Sequence, residues 1–252
     1  MRPTYAETVR RLMFYDFPWD VRMAGRLMIW HLYAWPSTAT VVGSTSSLFT
    51  RSEITSLTFG DLVEHGLDSP RGREILRFVN RSHRGTPVTA EHNRFALVAL
   101  PVTLIRWLDR FGHRALTADE HTALFTFYAE LGRRMGVRDF PADPFAYLAA
   151  HESKFAFSEA GRLCSERTLT MARDRVPRWS RAIVSPVIAT LLMPSVREAV
   201  GLPAPAWLSR ALVAAVLQVR RQVVGWLPPR TTPTTPRTRR MKLRSAEPQS
   251  AI

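Results

Sequence analysis

"TAEHNRFALVALPVTLIRWLDRFG" (residues 89–112) decides the fold class. Apolar side chains occupy nearly every face of this stretch at helical spacing, the pattern of a helix enclosed by other elements. It ends at Gly112, and Pro101 in its interior removes one backbone hydrogen bond and should kink it. A helix that must be enclosed needs other helices around it, and the chain supplies them on both sides.

Upstream, "PWDVRMAGRLMIWHLYA" (18–34) stops before Pro36, a second helix covers part of 36–48, and a third lies within 53–65 and ends at Gly66. In "DSPRGREILRFVNRSH", Ser69 is a natural N-cap and Pro70 takes the first helical position. Downstream, Thr117 and Glu120 form a capping box for a helix that ends at Gly136. Further helices start at Asp143-Pro144 and Ser158 and cover 178–193, 195–200 and 205–227. Gly is scarce and alternating β-branched runs are absent, so the expectation is an all-α chain, a single domain over 1–228 arranged as an orthogonal helical bundle. From 229 to 252 the sequence is rich in Pro, Thr and Arg and has little to bury, so a disordered basic tail is expected.

The 252 residues suffice for a real core, and apolar residues make up 46% of them. The net charge is +14, and of 35 basic residues only Lys154 and Lys242 are lysines. The tail from Pro229 holds six basic residues and one acidic one. Such charge suits nucleic acid or an anionic membrane, but no zinc-finger spacing, RNA-recognition signature or helix-turn-helix accompanies it, so no specific nucleic-acid partner is expected. The single cysteine, Cys164, excludes an internal disulfide framework and fits a reducing compartment. The N-terminus has no apolar signal core. The longest apolar stretches, 96–105 and 182–193, fall short of the roughly 20 residues that span a bilayer. A cytoplasmic protein, with or without peripheral membrane contact, is the expectation.

Two side chains break the apolar pattern. In "LRFVNRSHRGTPV" (76–88), Ile75, Leu76 and Val79 form an apolar stripe and His83 continues it, four residues after Val79. Arg73, Arg77, Arg81 and Arg84 form a separate basic stripe. His83 therefore points inward while the arginines point elsewhere. A core histidine bonded to a carbonyl, a cationic histidine at a helix C-terminus and a metal ligand all satisfy that pattern. Arg106 sits on the central helix near Thr103. A buried guanidinium needs an anion, which an Asp, a Glu, a cofactor propionate or a substrate carboxylate would supply, unless the side chain reaches the surface. No HExxH, GxSxG, P-loop or dinucleotide fingerprint is present. The other histidines, at 31, 65, 92, 113, 121 and 151, share no ligand spacing.

Several long blocks carry a resemblance: "DFPWDVRMAGRL" (16–27), "EHGLDSPRGREILRFVNRSHRGTPVTAEH" (64–92), "LIRWLDRFGHRALTADE" (104–120), "FYAELGRRMGVRDFP" (127–141), "FAFSEAGRL" (155–163) and the segment 202–230. In order, they resemble the oxygenase family of the fungal mycophenolic-acid enzyme MpaB, whose catalytic domain is similar to that of the bacterial rubber oxygenases. The resemblance implies an all-helical fold around a buried b-type haem, with iron held by one histidine. It implies O2-dependent oxidation of an apolar, isoprenoid-like substrate, with cleavage of a carbon–carbon double bond. His83 falls on the family's histidine in a pattern like "NRxHxRY" and becomes the implied iron ligand. Arg106 matches the arginine of an "EPIRW" block and is the implied partner of a cofactor carboxylate, with Arg81 and Arg84 of the same kind. An apolar pocket from the helices of Trp30, Phe95, Trp107 and Phe125 is expected to hold the substrate.

The sequence departs from the family in three places. Thr103-Leu104 replaces Glu-Pro, Arg84-Gly85-Thr86 replaces the Arg-Tyr after the histidine, and "SEITSLTF" (52–59) stands where a basic stretch often lies. Arg51 and Thr58 are what remains there as distal-side catalytic candidates. The departures favour an alternative, a non-catalytic haem- or lipid-binding relative. A peripheral membrane protein held by the 205–227 helix and the basic tail is a third reading.

Overall fold

The computed structural model describes residues 3–44 and 48–235, with the backbone alone at 48–53. Among the described residues all regular structure is helical. The helices are α1 (Tyr5–Arg11), α2 (Pro18–Ala34), α3 (Pro36–Gly43), α4 (Leu48–His65), α5 (Pro70–His83) and α6 (Ala90–Phe111). They continue with α7 (Ala118–Arg134), α8 (Pro144–Glu152), α9 (Glu159–Asp174), α10 (Arg181–Leu191), α11 (Pro194–Ala199) and α12 (Trp207–Trp226). A π-helical turn, Leu12–Asp16, joins α1 to α2, and a short 3-10 turn, Arg178–Ser180, precedes α10.

The punctuation acts as expected. Ser69, Thr117, Asp143 and Ser158 each accept a backbone N–H in the first turn of their helix. Thr4 and Glu7 form a further capping box that starts α1, a helix not expected from the apolar pattern. α6 runs through Pro101 without ending. It is central as predicted: it packs on α2, α7 and α8, and on α12 near its end. Phe95, Val98, Val102 and Ile105 on α6 are fully enclosed. Burial of each such side chain contributes about 1.5–3 kcal/mol.

Around that axis α1 lies on α7, α3 on α9, α11 on α2, and α10 between α9 and α12. The approach of α9 to α2 is close because residue 161 has no side chain: a Cβ there would stand 2.4 Å from the Tyr33 carbonyl oxygen. Cys164, one turn on, is buried, and burial pushes its thiol up. The segment after α12 returns to the N-terminal region, where Thr234 N–H donates to Phe14 O (3.0 Å) and Thr235 is buried. Residues 236–252 of the expected tail lie outside the described residues.

Candidate functional site: the open end of a helical hairpin

α4 and α5 pack on each other across a tight link. Gly66 adopts φ +79°, a conformation that ends α4 and suits glycine. Ser69 Oγ donates to Gly66 O (3.1 Å) and accepts from Gly72 N–H (2.8 Å), with Pro70 opening α5. A Cβ at residue 72 would overlap the Gly66 carbonyl, so the link closes only with glycine there. Leu62, Val63, Leu67, Ile75 and Leu76 bury this closed end, and Phe59 stacks on Tyr128 of α7.

Among the described residues, the opposite end is less covered. Along α4 the inward stripe runs back from buried Leu62 through half-buried Phe59 to Thr55, which is exposed. Along α5 it runs from buried Ile75 and Leu76 to half-buried Val79 and half-buried His83. Both stripes lose their cover away from the link, and the apolar side chains of Ile54 and Phe78 are exposed there. His83 is the last residue of α5, and its carbonyl accepts from Thr86 N–H (3.3 Å) and Oγ1 (2.7 Å). Gly85, at φ +75°, turns the chain away. Arg81 and Arg84 are exposed on the rim, and Thr58 is half-buried on α4. The side chain of Arg51, also on α4, lies outside the described residues.

Arg106 belongs to a different neighbourhood. Its Nη1 donates to Glu152 Oε1 (2.5 Å) on α8, Nη2 lies 3.4 Å from Oε2, and Met193 Sδ is 3.6 Å away. The anion that its position demands is therefore a protein carboxylate. His31 joins this cluster from α2, with Nε2 3.8 Å from Glu152 Oε1. Its imidazole is only 4% exposed and is pushed down to about 4. Burial is the main cause and outweighs the Leu27 carbonyl, which favours the cation, while Arg106 adds repulsion. Glu152 does little to restore the charge, because its oxygens are already engaged by Arg106. His151 is buried nearby, with Nδ1 3.1 Å from Tyr147 O, Nε2 3.4 Å from Glu91 Oε1 and Phe95 stacked on its ring. Both histidines sit four residues after the carbonyl beside them, and that spacing was the available signal for a structural role.

Trp30, Phe95 and Trp107 are buried in the core, and Phe125 packs edge-on against Phe145. Trp107 Nε1 donates to Asp20 Oδ1 (2.9 Å), and Arg220 of α12 pairs with both oxygens of Asp20 (3.0 and 2.7 Å) while lying over Trp19. Likewise Arg114 bridges Asp16 and Glu120, and Arg134 joins Asp68, Glu130 and Leu67 O. These charged residues lock helices to one another. Shallow clefts lie between Phe111, Leu191 and Val213 and beside Arg10 and Arg230.

Among the described residues no group of three or more His, Cys, Asp or Glu side chains is placed to hold a metal ion. A haem iron needs only one protein nitrogen, and the hairpin end offers it in kind: an imidazole on an apolar stripe, exposed apolar side chains beside it, and arginines on the rim. The macrocycle would cover surface that the fold leaves open. No curated protein matches the sequence. A family model described as ER-bound oxygenase mpaB/B'/Rubber oxygenase, catalytic domain, matches residues 19–226. That span takes in every helix from α2 to α12, and the chain belongs to this oxygenase family.

Proposed function

We propose that the protein is a haem-b-dependent oxygenase that uses O2 on an apolar, isoprenoid-like substrate. The observation that carries this reading is the less covered end of the α4–α5 hairpin, where an otherwise core-facing stripe ends on His83. In this reading the imidazole of His83 holds the iron, and Arg81 and Arg84 on the rim neutralise the propionates. Arg106 supports the adjoining core through Glu152 rather than touching the cofactor. Ile54 and Phe78 present the apolar surface that an alkene would displace water from. Thr58, half-buried on α4, would be a polar candidate beside the bound group, and Arg51 stays a candidate from the sequence alone. Bound haem supplies the activation of O2, and oxidative cleavage adds both oxygen atoms across the double bond to give two carbonyl groups.

The test is spectroscopic. Full-length protein expressed with added haem is expected to show a Soret band that changes on reduction, and His83→Ala is expected to lose it or shift it. A wild-type chain with no Soret band, or a His83→Ala variant with an unchanged spectrum, would sink the assignment. The alternative is a haem or lipid carrier without turnover, favoured by Arg84-Gly85-Thr86 after the histidine, where the family pattern has Arg-Tyr. Product analysis with terpenoid alkenes under O2 separates the two: carbonyl products identify the oxygenase, and bound haem without products identifies the carrier.

A further inference from the structure

Among the described residues no element covers the outer face of α12. Leu208, Leu212, Val216, Val219 and Val223 form a continuous exposed stripe about 22 Å long. Exposed Trp207 and Trp226 stand at its two ends, 71% and 81% accessible. From 211 to 227 the exposed polar side chains on this face are Gln218 and Gln222. The adjoining 3-10 turn and α10 extend the surface with Trp179, 82% accessible, and Ile183. A patch of this length and composition marks an interaction site.

The helix is held so that this face stays outward. Arg220, on its inner side, is clamped by Asp20 and stacked on Trp19, and Leu217 is buried. Rolling α12 to hide the stripe would break that buried ion pair.

We infer that the outer face of α12, with Trp179 and Ile183, is a docking surface for the interface of an anionic lipid bilayer. Charge chooses this occupant. In residues 175–235 Arg175, Arg178, Arg210 and Arg230 are exposed and Glu198 is the one acidic residue, whereas Arg220 is held by Asp20 and Arg181 by Asp174. The spacing 212, 216, 219, 223, 226 would also suit a second copy of the helix. Pairing two copies would bring two chains of the same net positive charge together, whereas an anionic headgroup layer is complementary to the exposed arginines of this region. Tryptophan at both ends of a helix lying flat places amphipathic rings at headgroup depth. No helix among the described residues is long and apolar enough to cross a membrane, so the contact is a surface one.

The experiment is co-sedimentation of the full chain with sucrose-loaded vesicles. The wild type is expected to pellet with phosphatidylcholine–phosphatidylglycerol vesicles far more than with phosphatidylcholine alone, with a blue shift of tryptophan emission. The exposed double variant Val216→Glu/Val219→Glu, checked by circular dichroism for an unchanged fold, is expected to lower the partition coefficient roughly tenfold or more. A double variant that pellets like the wild type overturns the inference, since the basic tail or another surface then does the binding. A wild type that stays in the supernatant and elutes as a dimer, which the variant converts to monomer, also overturns it in favour of a second copy. Failure to bind vesicles in any oligomeric state overturns it outright.

Discussion

His31 should make the fold sensitive to mild acid. Its buried imidazole is held at about 4, below the ordinary value of 6.5. Between these values the unfolded chain carries a proton on residue 31 that the folded chain refuses, so the group's contribution is full above pH 6.5 and is lost as the pH falls towards 4. By linkage the loss is on the order of 2 kcal/mol at pH 5 and about 3 kcal/mol once the pH is below 4. His92 and His113 are also lowered, mainly by burial, and would blur a measurement on the wild type alone. The comparison is therefore with His31→Gln, which is neutral throughout. Urea unfolding of both chains at about pH 7.5 and about pH 5 gives four free energies, and the wild type is expected to lose about 2 kcal/mol more than the variant across that interval. Parallel losses would refute the reasoning. A smaller loss in the wild type would mean that Glu152 accepts the imidazolium in preference to Arg106.

Two further substitutions test the scaffold. Asp20→Ala removes both the acceptor of Trp107 Nε1 and the partner of Arg220. Because Arg220 keeps some access to water, the cost should fall near the low end for a broken buried pair, about 3 kcal/mol, with Asp20→Asn milder, read by chemical denaturation. Gly161→Ala puts a methyl group against the Tyr33 carbonyl and should cost about 1–3 kcal/mol, seen as a lower Tm, whereas a Tm equal to the wild type would show that α9 can move away freely.

Local signals were legible in the sequence. The stop of α2 at Ala34, the Gly66 turn, and the caps at Ser69, Thr117 and Ser158 are each decided within four residues. α1 was equally readable from Thr4 and Glu7, yet its short run carries too few apolar residues to attract notice by periodicity. What the sequence did not disclose is long-range. Arg106 meets Glu152 across 46 positions and Asp20 meets Arg220 across 200, and only the packing of whole helices selects those partners. The half-burial of His83 is of the same kind: the stripe is local, but where its cover ends depends on which helices lie over it.

The sequence blocks that carry the family likeness are mostly scaffold. Asp16 and Glu120 hold Arg114, Asp20 holds Trp107 and Arg220, and Asp68 holds Arg134. The family match over residues 19–226 takes in Asp20, Asp68, Arg114, Glu120, Arg134 and Arg220. The proposed site draws on His83 and its rim arginines, on a different pair of helices from the Asp20 lock. The lock at Asp20 has a second consequence, because fixing the inner side of α12 also fixes its outer stripe. One buried carboxylate thus ties the enclosed core to the exposed apolar face. Asp20→Ala is expected to blunt vesicle binding as well as stability, although residue 20 itself is buried away from any lipid.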